Sequence, residues 1–271
     1  MDVFSADWLG ICRRAVAAQQ AIFDEVRGVA ARTAYEGIGE GGDRTLVIDR
    51  RCEDAVFAEL EALAAQGASF VAVSEERGEV VFGDGGPARV VIDPIDGSLN
   101  ARRTLPSHSL SIAVAAGDSM AEVEFGYVFD FGAGEEFVAQ RGRGALLGDE
   151  PIRVAPDDGD KIELLGLESA EPEWALPALE ALAGRVYRLR VVGSIAISAA
   201  YVAAGRFDAM ASLRSCRSVD AAAVQLIVRE AGGQVSFGDL ALDQARLGLD
   251  ARYPIAAAAG ERGLAIARSA Q

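Results

Sequence analysis

The chain has 271 residues, of which 51% are hydrophobic and 25% are charged, and it carries a formal net charge of −15. This length and composition are typical of a globular protein with one large domain or two fused halves. Nucleic acids and anionic membranes attract basic surfaces, so the acidic balance disfavours both as partners.

The first predicted element is a long amphipathic helix over residues 4–34. Its apolar residues recur at helical spacing and are Trp8, Cys12, Ala15, Ile22, Val26 and Val29. We interpret this stripe as a packing surface. Because the segment contains no long apolar run, we expect neither a signal peptide nor a membrane span.

The three cysteines are scattered through the sequence, at Cys12, Cys52 and Cys216. Their odd number and the absence of a C-x-x-C pair argue against a disulfide framework and against a zinc site. This usage of cysteine fits a reducing compartment, and we therefore expect a cytoplasmic protein.

A glycine-rich stretch follows the first helix, and residues 37–42 read GIGEGG. A dinucleotide-binding loop of this pattern follows a strand and opens a helix. Here a helix precedes it, so we reject nucleotide binding and predict a mobile loop. Asp49 then precedes a predicted helix over residues 50–65, where a helix N-cap is its simplest role.

A short buried strand is predicted over residues 70–73, and Ser74, Glu75 and Glu76 follow it. Glutamates after a strand are usually solvated. Glu75 lies 18 residues before Asp93, which also follows an apolar run. Two adjacent strands could therefore aim carboxylates at one point.

The most informative stretch is residues 90–100, which read VVIDPIDGSLN. Pro94 cannot donate a hydrogen bond to a sheet, so the predicted strand ends there and leaves Asp93 at the sheet edge. Asp93 and Asp96 on a tight turn can share a cation, while the Gly97 backbone and the Ser98 hydroxyl can hold a phosphate. A solvated surface turn is the alternative, because Asp-Pro and Asp-Gly are common turn dipeptides.

Alternating strands over residues 109–114, 122–129 and 135–139 predict an antiparallel sheet. The single histidine, His108, precedes the first of them, and we interpret it as structural. A seam near residues 155–160 divides the chain into an N-terminal α+β half, residues 1–155, and a C-terminal half, residues 156–271.

The C-terminal half alternates strands and helices, which predicts an α/β architecture. The predicted strands cover residues 162–167, 186–191, 207–211, 234–237 and 254–258. The predicted helices cover residues 172–183, 194–204, 219–231 and 260–269.

Two of these helices begin at polar residues. Gly193 and Ser194 open the helix over residues 194–204, whose N-terminus can attract an anion. Simple capping by Ser194 is the alternative, and Arg188 and Arg190 on the preceding strand could reach a phosphate. Asp220 either caps the helix over residues 219–231 or binds a ligand from its N-terminus.

Residues 93–100 resemble the D-P-x-D-G-[TS]-x-N signature of the inositol monophosphatase family, which are magnesium-dependent, lithium-sensitive phosphatases. Three further segments resemble motifs of that family in the family's order, and they are residues 45–49, 74–76 and 219–223. The resemblance implies a layered αβαβα sandwich of the sugar phosphatase type and a homodimer.

The resemblance also assigns roles to individual residues. The implied metal ligands are Glu75, Asp93, the Ile95 carbonyl, Asp96 and Asp220, and they would hold two or three Mg²⁺ ions, for which Mn²⁺ can substitute. Oxygen ligands alone favour these ions over zinc. The implied catalytic residues are Asp49, Glu75 and Ser98. The implied substrate contacts are Asp96, Gly97, Ser98, Arg190, Gly193, Ser194 and Asp220.

The implied reaction is hydrolysis of a small phosphorylated substrate, a sugar or inositol phosphate, by water that two or three metal ions activate. The glycine-rich stretch and residues 98–101 resemble the corresponding segments of archaeal-type members of the family. Those members hydrolyse fructose 1,6-bisphosphate in addition to myo-inositol 1-phosphate. Animal-type members carry an acidic residue seven positions before the last metal aspartate, where this chain has Leu213.

Two alternatives stay open. One is a 3′-phosphoadenosine or histidinol phosphate phosphatase of the same superfamily. The other is a non-catalytic family member that binds metal or phosphate, although the intact set of implied ligands argues against it.

Overall fold

A computed structural model of the chain describes residues 1–33, 35–38, 44–157 and 161–271. The α-helices in these ranges are α1 Trp8–Glu25, α2 Val29–Arg32, α3 Val47–Ala65, α4 Ser98–Arg102, α5 Pro172–Leu182, α6 Ile195–Ala203, α7 Ser218–Glu230 and α8 Glu261–Arg268. Short 3-10 helices cover Val3–Ser5 and Met120–Glu122.

The strands in the N-terminal half are β1 Tyr35–Ile38, β2 Arg44–Leu46, β3 Phe70–Ser74, β4 Gly78–Phe82, β5 Arg89–Asp96, β6 Ser109–Ala115, β7 Val123–Asp130, β8 Glu135–Gln140, β9 Ala145–Leu147 and β10 Glu150–Ile152. Those in the C-terminal half are β11 Ile162–Glu168, β12 Val186–Arg190, β13 Ala209–Ser212, β14 Cys216–Arg217, β15 Gln234–Phe237, β16 Arg252–Tyr253 and β17 Ile255–Ala258.

The single long N-terminal helix predicted over residues 4–34 is wrong in its extent. The segment forms α1 and the short α2, and Gly28 between them has a φ of +87°. A left-handed residue cannot continue an α-helix, so the chain turns there. Consequently Val29, the last member of the predicted stripe, is 41% exposed rather than packed.

The larger sheet joins described strands in the order β10-β9-β8-β7-β6-β5-β3-β4. Its neighbours are antiparallel except β3 and β5, which run parallel with Ser74 opposite Ile92. The carboxyl end of β3 therefore lies beside Ile92, one residue before Asp93. This confirms that adjacent strands place Glu75 and Asp93, although Asp93 lies within β5 rather than after it.

The prediction that the strand ends at Pro94 is wrong, because β5 continues to Asp96 through a β-bulge. Asp93 pairs with Ser111 and Asp96 pairs with Ser109, so two residues of β5 face one residue of β6. A proline is tolerated at a bulge, where the ladder does not need its N–H. The extra residue also changes the alternation, so that Asp93 and Asp96 lie on the same face of the sheet.

The smaller sheet joins described strands in the order β12-β11-β13-β17-β15. Here β11 runs parallel to β12 and β13, whereas β17 runs antiparallel to β13 and β15. The predicted elements of this half are confirmed to within two residues at their ends. The short pair β14 and β16 is an addition that the sequence pattern did not predict.

The helices and the two sheets form five layers. Helices α1 and α3 pack on one face of the larger sheet, against residues that include Val90 and Ile92. Helices α6 and α7 fill the space between the sheets, where Val91 on the opposite face of β5 joins their core. Helices α5 and α8 cover the outer face of the smaller sheet. The predicted layered αβαβα sandwich is confirmed.

The division into halves at residue 155 stays a prediction. Residues 158–160 of the predicted seam lie outside the described residues, and so do residues 39–43 of the glycine-rich stretch. The larger sheet lies before the seam and the smaller sheet after it. One apolar core, which includes α6 and α7, contacts both sheets.

Several smaller expectations can be compared with the structure. Cys12, Cys52 and Cys216 are buried and free. His108 is buried between Phe23 and Phe131, with ring centroids 4.9 and 5.5 Å away, which agrees with a structural role. Among the described residues, no helix is both long enough and apolar enough to cross a membrane.

Small residues let α7 approach the larger sheet closely. A Cβ atom on Gly126 of β7 would lie 2.6 Å from the carbonyl oxygen of Ala223 in α7. Only glycine leaves room for the helix backbone at this point. The close packing fixes the position of the N-terminus of α7, and with it Asp220, relative to the sheet edge.

We predict that Gly126→Ala lowers the free energy of unfolding by about 2 kcal/mol, because the added methyl group overpacks the β7–α7 contact. Urea denaturation measures this change. Gly248→Ala is the matched control, since a Cβ there meets no atom within 4 Å and its φ is not left-handed. Equal stabilities for the two variants would contradict the proposed packing role of Gly126.

Candidate active site

Four acidic side chains lie close together near the carboxyl ends of β3 and β5 in the larger sheet. Glu75 follows β3, Asp93 and Asp96 lie on β5, and Asp220 is the third residue of α7. Burial raises the pKa of Asp93 well above its usual value, and the negative charges of its three neighbours raise it further. Burial, followed by Asp96 and Glu75, raises the pKa of Asp220 to about 8. The four carboxylates therefore form one electrostatic cluster.

Each aspartate of the cluster accepts hydrogen bonds from the protein. The Ile95 N–H donates to Asp93 Oδ1 at 3.0 Å, and the Arg217 N–H donates to Asp220 Oδ2 at 2.9 Å. Asp96 Oδ2 accepts from the Ser194 hydroxyl at 2.5 Å and from the Ala196 N–H at 2.7 Å. These bonds favour the charged carboxylates and partly offset the cost of burying them.

The fourth carboxylate, Glu75, forms an ion pair with the guanidinium of Arg217. The two residues are 142 positions apart in sequence, and Arg217 is only 8% exposed. Sequence analysis missed Arg217. Its only signal there is its position, three residues before Asp220.

The donor set fits magnesium or manganese in its chemistry. It consists of carboxylate oxygens, with no histidine or cysteine among them, and hard divalent cations prefer such ligands. Within the described part of the chain, however, no three His, Cys, Asp or Glu side chains converge on a single metal position. Glu75 is paired with Arg217 instead, and Asp96 accepts from Ser194 and Ala196. Side-chain rotation would have to accompany metal binding.

Asp49 lies in the first turn of α3 and is 7% exposed. Helix α3 begins at Val47, earlier than predicted, so Asp49 is not the N-cap. Its Oδ2 instead accepts from the Leu46 N–H at 3.4 Å, while its buried Oδ1 has no hydrogen-bond partner among the described residues. Burial, and next the charge of Glu76, raises the pKa of Asp49 to about 7. This value suits a group that takes up a proton near neutral pH.

The turn after β5 requires glycine at position 97. Gly97 has a φ of +86°, and a Cβ there would lie 2.9 Å from the Ser107 carbonyl and 3.0 Å from the Gly193 carbonyl. Asn100 Nδ2 donates to the carbonyls of Ser107 at 2.7 Å and Val192 at 2.8 Å. The turn is thereby tied to the segment before α6, and the exposed Ser98 opens α4 beside it.

The N-terminus of α6 already holds an anion, which is Asp96. Ser194 is the N-cap of α6, since its hydroxyl accepts from the Ile197 N–H at 3.1 Å and also donates to Asp96. The expectation that this helix offers free amides to a substrate needs correction, because Asp96 takes the Ala196 N–H. Ser194 and Gly193 still line a cavity beside the cluster.

Two further buried glutamates position the site and were missed in the sequence. Glu168, 1% exposed at the end of β11, accepts from the Gly193 N–H at 2.7 Å and from the Ser198 hydroxyl. Glu53 of α3 is fully buried and accepts from the Ser74 hydroxyl and, at 3.1 Å, from the Arg77 N–H. Glu168 is an acidic residue at the end of an apolar strand, the same pattern that indicated Asp93, and this pattern could have identified it in the sequence.

Two adjoining cavities flank the carboxylates. One has a volume of about 860 Å³ and is lined by Asp220, Leu213, Trp174 and three arginines, Arg214, Arg217 and Arg252. The other has a volume of about 470 Å³ and includes Asp96, Asn100 and Ser194. They share Ser169, Glu171 and Ile195. Together they have room for a small phosphorylated molecule.

The structure does not bring Arg190 to this site. Arg190 and Arg188 line a separate cavity of about 530 Å³, together with Lys161 and Arg206. Both arginines lie on β12, at the edge of the smaller sheet. The structure therefore does not support the predicted contact between Arg190 and a substrate at the carboxylates.

Comparison with known proteins gives one consistent family. A profile of the inositol monophosphatase family matches residues 10–270. The fructose-1,6-bisphosphatase/inositol-1-monophosphatase of Methanothermobacter thermautotrophicus is 30% identical over 239 residues, which cover 84% of each chain. The inositol-1-monophosphatase of Mesorhizobium japonicum is 33% identical over 204 residues, which cover 72% of each chain.

The fold comparison agrees. A crystal structure of an inositol monophosphatase-fructose 1,6 bisphosphatase superposes with a TM-score of 0.83 at 26% identity, and the match covers 98% of this chain and 100% of the other. The similarity therefore includes both sheets and all the layers that surround the carboxylate cluster.

We predict that the metal-free protein becomes less stable as the pH rises from about 5 to 9. Folding raises the pKa of Asp49 to about 7 and that of Asp220 to about 8, from an ordinary value of 3.8. The folded state thus holds more protons, and this stabilising contribution is complete below about pH 4 and lost as the pH rises through 7 and 8. Thermal unfolding in chelator at a series of pH values measures the decline.

Two controls belong to this experiment. Asp49→Asn removes one titrating group, so the decline in stability should become shallower. Saturating Mg²⁺ should reduce it further, since the cation favours the charged carboxylates. A stability that stays constant or increases over this pH range in chelator would show that the acidic cluster is not protonated in the folded state.

Proposed function

This chain belongs to the inositol monophosphatase family and is a phosphoric monoester hydrolase, and we propose that it uses divalent cations to release phosphate from a small sugar or inositol phosphate. The observation that carries the proposal is the grouping of Glu75, Asp93, Asp96 and Asp220 beside the two cavities. The names of the relatives support myo-inositol 1-phosphate and fructose 1,6-bisphosphate as substrates.

The residues proposed to hold the cations are Glu75, Asp93, the Ile95 carbonyl, Asp96 and Asp220. Mg²⁺ is the proposed ion, two or three per site, and Mn²⁺ should substitute because both prefer oxygen ligands. When bound, the cations supply positive charge to the phosphate oxygens and make water a stronger nucleophile.

Side chains and backbone amides of the protein would then accept a proton from the attacking water and orient the water and the phosphate. We assign Asp49 as the base, because its Oδ1 has no hydrogen-bond partner among the described residues and is available to take up a proton from the attacking water. The Ser98 hydroxyl orients that water, and the Gly97 and Ser98 amides bind phosphate oxygens. The water oxygen forms a bond to phosphorus, the phosphorus–ester oxygen bond breaks, and the leaving alkoxide takes a proton from solvent water to form the alcohol.

The cavity wall bears on the choice of substrate. Leu213, at the position where animal-type members carry an acidic residue, is 7% exposed and lines the larger cavity. It offers no carboxylate to an inositol hydroxyl. Arg214 and Arg252 line the same cavity and favour a second anionic group on the substrate, as fructose 1,6-bisphosphate has.

One observation favours a second candidate, a 3′-phosphoadenosine phosphatase. Trp174 on α5 lines the larger cavity and is 48% exposed, although large aromatic side chains are usually covered. An indole face in a cavity of this size can stack on a nucleobase. A histidinol phosphate phosphatase stays as an alternative without a supporting contact, whereas the match to a family of phosphatases overturns the non-catalytic alternative.

We predict Mg²⁺-dependent phosphate release from myo-inositol 1-phosphate or fructose 1,6-bisphosphate that chelator abolishes. Asp93→Asn should lower kcat at least about a hundredfold, because it removes a ligand charge at the centre of the cluster. Release of phosphate is measured on both compounds and on 3′-phosphoadenosine 5′-phosphate. Full activity of Asp93→Asn, or activity in chelator, would exclude the proposed mechanism.

The same substrate panel separates the two candidates through Trp174→Leu. If the substrate is a nucleotide, this change should raise KM for 3′-phosphoadenosine 5′-phosphate about tenfold through lost stacking. Leu176→Ala is the matched control, since Leu176 lies on the same helix, is 65% exposed and is absent from the cavity lining. An unchanged KM in Trp174→Leu would remove the nucleotide candidate.

Assembly as a homodimer and a cytoplasmic location stay predictions from the sequence. Size-exclusion chromatography with light scattering would test the first of them, and a monomeric mass would show it to be wrong.

A further inference from the structure

We propose that Arg217 is the internal counter-ion of the metal-free site and that its guanidinium competes with a divalent cation for Glu75. This inference rests on the proposed metal site. It concerns how strongly the chain itself opposes the entry of the cation.

The backbone of Arg217 is fixed from two sides. It pairs with Arg252 in the short β14–β16 ladder, and its N–H donates to Asp220 Oδ2 at 2.9 Å. Its side chain, only 10% exposed, then reaches across to Glu75. One residue thus contacts a carboxylate from each half of the cluster.

The charges explain why a cation is favoured at this point. Glu75, Asp93, Asp96 and Asp220 repel one another, and a guanidinium keeps its positive charge at any pH at which the protein is folded. Arg217 Nη1 donates to Glu75 Oε1, so the guanidinium already engages this carboxylate oxygen. A single oxygen cannot keep this charge-assisted hydrogen bond and also enter the coordination shell at full strength.

The competition also accounts for the arrangement of the donor set. In the described residues no three acidic side chains converge on one metal position, and Glu75 is held by Arg217. Entry of a cation would release the guanidinium from Glu75 into the larger cavity, which Arg217 lines. Binding of a cation must break the bond between Glu75 and the guanidinium. The affinity of the site for the cation is therefore lower than it would be for the same carboxylates without Arg217.

A simpler role is a salt bridge that only joins the two halves. Metal dependence separates the two roles. A purely structural bridge stabilises the protein equally with and without the cation, whereas a counter-ion stabilises only the metal-free protein.

The first test is titration of the full-length protein with Mn²⁺ by calorimetry. Arg217→Gln should bind Mn²⁺ on the order of tenfold more tightly than the unchanged protein, as expected for removal of a competing charge-assisted bond. Arg214→Gln is the matched control, since Arg214 lines the same cavity but pairs with Glu171 at 2.8 Å. It loses the same charge without freeing Glu75, so its affinity should change less than about twofold.

The second test is thermal unfolding of the same variants. Arg217→Gln should lower the Tm by about 3 °C in chelator and should have the same Tm as the unchanged protein in saturating Mg²⁺. An equal loss of Tm in both conditions, or an Mn²⁺ affinity that is unchanged or weaker, would overturn the counter-ion role.

Asp93→Asn in the same titration keeps this inference separate from the proposed function. If the unchanged protein binds Mn²⁺ and Asp93→Asn weakens binding, the metal site stands and the Arg217 result alone decides the inference. If the unchanged protein binds no Mn²⁺ at millimolar concentrations, the proposed metal site and the inference fail together.

Discussion

Repulsion among four clustered carboxylates, of which those of Asp93 and Asp96 are buried, is the constraint on which the rest of this structure depends. Burial, and after it the negative charges of the neighbouring carboxylates, raises the pKa of Asp93 and of Asp220. Without a compensating positive charge these groups would stay protonated or drive the site apart. The chain meets part of this need with the Arg217 guanidinium and with backbone N–H groups. In the proposed function, divalent cations meet the remainder.

The elements around the cluster serve to hold it together. The bulge in β5 places Asp93 and Asp96 on one face of the sheet. The close contact between Gly126 of β7 and Ala223 of α7 sets the distance of α7, and with it Asp220, from the sheet. Buried Glu168 fixes the turn before α6, whose N-cap Ser194 in turn binds Asp96. The positions of the acidic groups are therefore determined by contacts between layers, so a change in packing far from the carboxylates should alter their charge state.

Much of the fold could be predicted from the sequence, because hydrophobic periodicity and helix boundaries are local properties. The adjacency of β3 and β5, and the alternation of elements after residue 160, followed from such patterns. The N-terminal helix was predicted too long because the break at Gly28 depends on one backbone angle. The strand beyond Pro94 was missed because a bulge depends on the partner strand, which single-strand patterns do not describe.

The acidic residues of the site could be predicted from the sequence, whereas the residues that bind to them could not all be identified there. Asp49, Glu75, Asp93, Asp96 and Asp220 stand in recognisable motifs, whereas the ion pair of Glu75 joins positions 142 apart and has no local pattern.

The most direct test of the proposed metal site is a crystal structure with Mn²⁺, in which anomalous scattering locates the ions. We expect ion peaks between Glu75, Asp93, Asp96 and Asp220, with the Arg217 guanidinium released from Glu75. Peaks elsewhere, or an unchanged Glu75–Arg217 pair with no ion among the four carboxylates, would contradict it.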